Sequence, residues 1–151
     1  MKKLFLFTIV AMLLFNIACP GKFSSLERDL SQNRQLWTSR NLKDYRYRLQ
    51  LGCFCPRELT QPVIIEVKNG QRVSIVYEAD RSVVANEFFN RFDTIDDVFA
   101  FVDDAIDRDA SKITVTFNSE FGYPTQVSVD YIELAVDEEM AVFVSDLEAI
   151  K

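Results

Sequence analysis

The fold of this chain is decided by residues 45–56, which read YRYRLQLGCFCP. Tyrosine, leucine and cysteine occupy every second position from Tyr45 to Cys55, with arginine, glutamine, glycine and phenylalanine between them. Successive side chains of a strand point to opposite faces of a sheet, so this alternation predicts a half-buried strand. Both Cys53 and Cys55 are then expected on its apolar face. Pro56 cannot donate to a β-ladder and is predicted to end the strand.

A helix is predicted before this strand, from Phe23 to Arg40. Ser24 and Glu27 have the spacing of a capping box, and Asn41 is a suitable left-handed residue at the other end. Trp37 falls on the apolar stripe of this helix, which favours a position in the core; stacking on a ligand is the alternative.

A second helix is predicted from Thr94, its N-cap, to about Ala110, because apolar residues recur there at helical spacing. Aspartates occupy its polar face: Asp96, Asp97, Asp103, Asp104 and Asp107. Such a set could bind a cation or supply paired catalytic carboxylates. Calcium loops, however, alternate oxygen ligands around a glycine turn, and this run is helical and free of glycine. A solvated helix face is the favoured interpretation.

A hairpin is predicted between residues 63–68 and 71–77, on either side of Asn69-Gly70. A two-residue loop would pair Lys68 with Gln71 and place apolar and polar residues on the same face. We therefore expect a three-residue loop, Lys68-Asn69-Gly70. The expected pairs are Val67 with Gln71, Ile65 with Val73 and Val63 with Ile75.

Three more strands are predicted at residues 113–117, 127–131 and 140–144, the last of them at a sheet edge. Residues 78–93 show no sustained period and are expected to form a connecting loop fixed by aromatic side chains. The element order is therefore α-β-β-β-α-β-β-β. It predicts an α+β domain, a mostly antiparallel sheet of about six strands with two helices packed on one face.

The N-terminus has the pattern of a signal peptide, from Met1 to about Ala18, with two lysines followed by an apolar run. The last residues before Cys19 resemble the lipobox of bacterial lipoproteins, so Cys19 is the expected lipid attachment site. The predicted division is signal peptide 1–18, lipid-anchor linker 19–23 and a single domain 24–151. Ordinary cleavage near Ala18 and a buried N-terminal helix are the alternatives. The two leading interpretations export the domain, and the first attaches it to a membrane through lipid.

Charge and composition exclude several classes of function. Without its leader the chain has 15 Lys plus Arg against 23 Asp plus Glu, a net charge of −8, which disfavours nucleic acid and anionic lipid head groups as partners. Histidine is absent, which excludes Ser-His-Asp and Cys-His catalysis and histidine metal sites. Two cysteines are too few for tetrahedral zinc. No cofactor, metal or catalytic residue is therefore predicted.

Several motifs together resemble a family of small bacterial envelope lipoproteins classed as a domain of unknown function (family 6174). They are Trp37 ahead of Tyr45-Arg46-Tyr47, Cys53-Phe54-Cys55-Pro56, Val63 to Gly70, Thr94-Ile95-Asp96-Asp97-Val98-Phe99, and Gly122-Tyr123-Pro124 followed by Asp130. The resemblance covers nearly the whole chain after the leader. It implies an exported, often lipid-anchored domain and no known activity.

Three functions are compatible with these observations. The favoured one is a non-catalytic envelope protein that binds a protein or surface component or has a structural role. The alternatives are a thiol protein, using Cys53 and Cys55 for disulfide exchange or soft-metal capture, and a carboxylate hydrolase. Residues two apart on a straight strand are about 6.6 Å apart, so a disulfide requires a bend, which Gly52 and Pro56 favour. A local structural disulfide is predicted, with free thiols as the alternative.

Overall fold

The computed structural model describes residues 21–133, 135 and 137–150. The predicted signal peptide 1–18 and Cys19 lie outside the described residues, and both stay predictions. Within the described part of the chain, no helix combines the length and the apolar character needed to cross a bilayer.

The chain contains three α-helices, one 3-10 helix and six strands over the described residues. They are α1 (Ser24–Arg40), β1 (Tyr45–Cys53), α2 (Arg57–Thr60), β2 (Val63–Lys68), β3 (Gln71–Tyr77), the 3-10 helix (Glu87–Phe92), α3 (Ile95–Asp107), β4 (Lys112–Phe117), β5 (Pro124–Asp130) and β6 (Glu139–Ala149).

All six strands form one antiparallel sheet in the order β3-β2-β1-β6-β5-β4. The predicted edge position of the last strand is therefore wrong, because β6 lies between β1 and β5. Val142 and Val144 of β6 are buried, whereas the alternating Phe143 is on the other face and partly exposed. Since only one face of this sheet is covered by helices, a central strand is as half-polar as an edge strand. The sequence pattern does not distinguish the two positions.

Both long helices cover the same face of the sheet, and Tyr45 shows this directly. The ring of Trp37 in α1 meets the ring of Tyr45 edge-on, with 5.4 Å between centroids. At the start of α3, the backbone N–H of Ile95 donates to the Tyr45 hydroxyl over 3.2 Å. The predicted α+β class is thus confirmed. Large side chains that are fully buried between the layers include Tyr47, Leu49, Leu51, Ile65, Phe89, Phe92, Val98 and Phe99.

The predicted three-residue hairpin loop is wrong. Lys68 pairs with Gln71 across a two-residue turn, and both turn residues have left-handed φ angles, of 52° and 75°. The mismatch of faces is corrected inside β3, where Val73 is an extra residue in a β-bulge. Beyond the bulge, Ile65 pairs with Ile75, so the apolar residues return to one face.

Of the four predicted helix ends, Asn41 and Thr94 agree with the structure, whereas the start of α1 does not and α3 ends at Asp107, before the expected end near Ala110. The predicted capping box of α1 is wrong, because Phe23 is the N-cap and no side chain caps it, while Ser24 is already helical. Asn41 ends α1 in the left-handed conformation, with φ of 50°. Thr94 caps α3 as predicted, and it forms a complete capping box with Asp97.

Residues 78–93 are more ordered than the predicted connecting loop. Val83 forms a β-bridge with Val76, and a 3-10 helix follows. Its side chains Phe89 and Phe92 are fully buried, so the aromatic residues do fix this segment to the core as expected.

Candidate functional site

The two cysteines lie at the end of β1 and are joined by a disulfide bond between Cys53 and Cys55. Their Cα atoms are 5.2 Å apart, well short of the separation on a straight strand, so the chain bends here as predicted. For the same reason β1 ends at Cys53, two residues before the predicted end. Phe54, between the cysteines, is 87% exposed. We call residues 53–55 the cysteine turn.

The surroundings of the cysteine turn favour structure over reactivity. The sequence continues through Pro56 into α2, a single turn of four residues whose Leu59 is buried. A helix of one turn aligns few peptide dipoles, so its N-terminus activates a cysteine much less than that of a full helix does. The cysteine turn thus holds the end of the central strand β1 and exposes Phe54 to solvent.

The aspartates of α3 do not converge on one point. Asp96 accepts a hydrogen bond from Trp37, Asp97 belongs to the capping box, Asp103 pairs with Arg34, and Asp104 pairs with Arg108. Across the described residues, no three or more His, Cys, Asp or Glu side chains lie close enough together to hold a metal ion. Individual structural and surface roles account for these four carboxylates, and Asp107 is exposed at the end of α3.

Trp37 is the centre of a cluster, which we call the tryptophan cluster: the buried rings of Trp37, Tyr45 and Tyr123, and the exposed Asp96. The indole Nε1 donates to Asp96 Oδ1 over 3.2 Å, and the ring meets Tyr45 and Tyr123 edge-on at 5.4 and 6.2 Å. Trp37 is only 5% exposed, so it is a core residue and no ligand can stack on it. Three of the sequence motifs quoted above therefore meet at one place.

Burial also perturbs the tyrosines of this region. Removal from water raises the pKa of Tyr45 to about 12, partly opposed by the Ile95 amide and reinforced by the negative charges of Asp96 and Asp97. Burial raises the pKa of Tyr47 well above its usual range, and the Tyr47 hydroxyl donates to the Phe92 carbonyl over 2.7 Å. Both tyrosines are neutral hydrogen-bonding members of the core.

Gly122 fixes how closely α1 approaches the sheet. It has a φ of 82°, and a Cβ atom there would lie 3.0 Å from Leu36 Cβ and 3.1 Å from the backbone nitrogen of Trp37. The turn is held by the Asn118 side chain, which accepts from the backbone N–H groups of Glu120 and Phe121 at 3.0 and 2.8 Å. The turn between β4 and β5 is thus an ordered surface against which α1 packs, and we call it the α1 seat.

Away from this seat, α1 and α3 leave an open cleft of about 950 Å³ between them, which we call the helix cleft. Its lining includes apolar side chains from both helices, Leu30 and Ile106, together with Ser31, Gln35 and Thr38 of α1. The charged residues are Glu27, Arg34, Asp103 and Asp107. Three acids against one base make the helix cleft acidic.

Arg34 ties the two walls of the cleft together. Its Nη2 donates to Asp103 Oδ2 over 2.6 Å, and its guanidinium lies 5.1 Å from the ring centroid of Phe99. Its Nε is buried and has no hydrogen-bond partner among the described residues. Glu27 and Asp107 line the cleft and are exposed, and neither forms an ion pair with any described residue.

The sequence analysis does not predict the helix cleft. The polarity of α1 is the one feature that points to it. This helix buries only Leu30 and Trp37 along 17 residues, so it cannot pack tightly along its whole length. The two cysteines were identified, and the structure brings them together. Cys19, the predicted lipid attachment site, lies outside the described residues.

The described residues thus form an α+β domain with a six-stranded antiparallel sheet, a cysteine turn at the end of one strand and an acidic cleft between two helices. Residues 29–149 match the Family of unknown function (DUF6174), and the chain belongs to this family. No curated protein and no solved structure matches the chain.

Proposed function

We propose that this chain is an exported, lipid-anchored domain of the bacterial cell envelope that binds a protein partner and has no catalytic activity. The observation that carries the binding role is the helix cleft, which combines an apolar base with two acidic side chains that have no described ionic partner. A volume of about 950 Å³ is at the upper end of the range for small-molecule sites and also admits several side chains of a peptide.

The anchor is supported by the leader-like sequence that ends at Cys19. Five peptide units separate Cys19 from Ser24, where α1 begins, and a fully extended chain spans at most about 3.6 Å per residue. A lipid on Cys19 therefore holds the Glu27 end of the helix cleft within about 20 Å of the membrane surface. The partner is accordingly an envelope protein.

Charge defines the chemistry of this partner. Glu27 and Asp107 favour lysine or arginine side chains, and the Leu30–Ile106 base favours an apolar residue beside them. The occupant we propose is a segment of an envelope protein that carries both.

Photo-crosslinking in cells tests this binding role. A photoreactive residue at Ser31, in the helix cleft, should form an adduct that one at Ser74, on β3, does not. The double substitution Glu27→Gln/Asp107→Asn should reduce the adduct about tenfold, because it removes the two charges that have no ionic partner among the described residues. Glu133→Gln/Glu138→Gln is the matched control, since it changes the net charge equally at exposed positions outside the cleft. No adduct at Ser31, or an equal loss in both double variants, would contradict the proposal.

Intact mass spectrometry of the chain recovered from cells tests export and anchoring. Lipidation should add the mass of a lipid to a chain that begins at Cys19. A mature chain without added lipid would support ordinary cleavage instead, and an intact leader would overturn export.

A thiol function is the second candidate, because the structure joins Cys53 and Cys55 next to an exposed Phe54. An insulin-reduction assay, with Cys53→Ser/Cys55→Ser as the control, measures exchange activity. Titration of the reduced chain with zinc or copper(I) measures metal capture. Turnover or tight binding that the double variant loses would favour this function over the binding role.

A further inference from the structure

The two edges of the sheet differ in how they are protected. The outer edge of β3 is covered by residues 82–84. The Tyr77 N–H donates to the Ser82 carbonyl over 2.9 Å, and the Val84 N–H donates to the Ile75 carbonyl over 3.3 Å. Covering of this kind is how proteins prevent an edge strand from pairing with another chain.

Among the residues that the structure describes, none covers the outer edge of β4 in this way. β4 pairs only with β5, and the N–H of Asn118, next along the chain, donates to Tyr123 on the β5 side over 2.8 Å. Since the direction of the N–H groups alternates along a strand, those of Ile113, Val115 and Phe117 point to the outer edge. Outside β5, no described residue forms a backbone hydrogen bond with Ile113, Val115 or Phe117.

The pairing of Phe117 agrees with this direction. Its partner on β5 is Pro124, which has no N–H with which to form a hydrogen-bonded pair. The irregularity of the β4–β5 ladder at this point inserts its extra residue in β5, so β4 itself is a regular strand.

The side chains of β4 also lack the usual features that block edge pairing. The strand contains no proline and no inward-pointing charge, and Lys112 is its only charged residue. Ile113, Val115 and Phe117 are half-buried on the helix side, while Thr114 and Thr116 are exposed on the open face of the sheet. The bare edge is thus β-branched, regular and nearly uncharged.

We propose that this edge pairs with the same edge of a second copy of the chain, antiparallel and about a two-fold axis at Val115. In this register Val115 faces Val115 of the second copy, Ile113 faces its Phe117, and Thr114 faces its Thr116. Every outward N–H and C=O of Ile113, Val115 and Phe117 then has a partner. The two sheets continue into one another, with both helix layers on the same side.

Self-complementarity identifies a second copy as the occupant. On the helix side each apolar residue faces an apolar residue of the second copy, so dimerisation removes apolar surface from water. On the open face threonine faces threonine, which is a favourable cross-strand pair. Lys112 faces Asn118 of the second copy, so no like charges oppose each other despite the acidic net charge. An isologous two-fold contact of this kind closes on itself and stops at a dimer. The inference does not rest on the proposed binding function.

Sedimentation velocity of the purified full chain tests the proposal, with concentrations up to about 1 mM. The wild type should sediment as a monomer–dimer equilibrium. Thr114→Glu/Thr116→Glu places two pairs of like charges across the axis and should weaken dimerisation at least about tenfold. Thr114→Lys/Thr116→Glu places opposite charges in the same pairs and should retain the dimer. Both positions are exposed, so circular dichroism should show the same fold in all three proteins.

The register makes the outcomes unambiguous. Loss of the dimer in the Glu/Glu variant together with its retention in the Lys/Glu variant supports this pairing. A wild type that is monomeric at every concentration overturns the proposal. So does a dimer that persists in the Glu/Glu variant, or one that both variants lose equally, because the interface or register would then be different.

Discussion

Gly122 lies so close to Trp37 that a Cβ atom on the glycine would be 3.1 Å from the backbone nitrogen of the tryptophan. Gly122 also has a φ of 82°, a conformation that residues with a side chain rarely adopt. Two independent restrictions therefore require glycine at this position. This close contact allows Trp37 of α1 to pack in the tryptophan cluster, although α1 has few other apolar side chains.

Gly122→Ala should destabilise the fold by about 2 to 4 kcal/mol, because the new methyl group meets the α1 backbone and the left-handed φ becomes strained. The urea midpoint and the emission of Trp37, the only tryptophan, measure the loss and the undocking of α1. Gly21→Ala is the control, since no atom lies within 4 Å of a Cβ there. Equal stability of the Gly122 and Gly21 variants would show that this contact does not hold α1.

Asp96 should stabilise the fold through its hydrogen bond to the Trp37 indole. Asp96→Ala removes the acceptor of the partly buried Nε1–H, which costs about 1 kcal/mol. Asp96→Asn keeps an acceptor oxygen at the same place and should cost less. Both variants remove the same negative charge from the first turn of α3, so the difference between their urea midpoints isolates the hydrogen bond. Identical midpoints would contradict this role.

The sequence predicted elements well where one pattern had one structural solution. The alternation from Tyr45 and the capped apolar period from Thr94 gave β1 and α3, because burial on a single face imposes each period. Prediction from the sequence failed where a local pattern was compatible with two structures. The bulge at Val73 permits a turn that an unbroken ladder excludes, and a central strand with one open face has the composition of an edge strand.

The candidate sites show the same limit. The disulfide could be predicted because its two residues are neighbours along the chain and only a local bend was in question. The helix cleft depends on how Leu30 and Ile106 come together from segments about 75 residues apart. Similarly, the open edge of β4 depends on strand order, and only the three-dimensional fold determines that order.

Alkaline pH should unfold the protein through Tyr45 and Tyr47. Burial raises the pKa of both above the ordinary value near 10, to about 12 for Tyr45, so the folded state favours the neutral phenols. Their stabilising contribution is complete below pH 10 and decreases as the pH rises from 10 towards 12, by about 1.4 kcal/mol per pH unit for each tyrosine.

Urea midpoints at a series of pH values measure this loss. Tyr45→Phe should give a shallower decrease above pH 10 than the wild type, although it starts from a lower stability because the Ile95 amide loses its acceptor. Parallel pH profiles for the two proteins would mean that another group controls alkaline unfolding.

Reduction of the Cys53–Cys55 bond should lower stability by no more than about 2 kcal/mol, because a bond between residues two apart closes a very small loop. Urea midpoints of the oxidised chain, the reduced chain and Cys53→Ser/Cys55→Ser measure the effect, and the last two should agree. Cys53 pairs with Met140 at the end of the β1–β6 ladder, so hydrogen exchange should increase near that end of β6 and stay unchanged around Trp37. Global unfolding on reduction would show instead that the cysteine turn holds the whole sheet together.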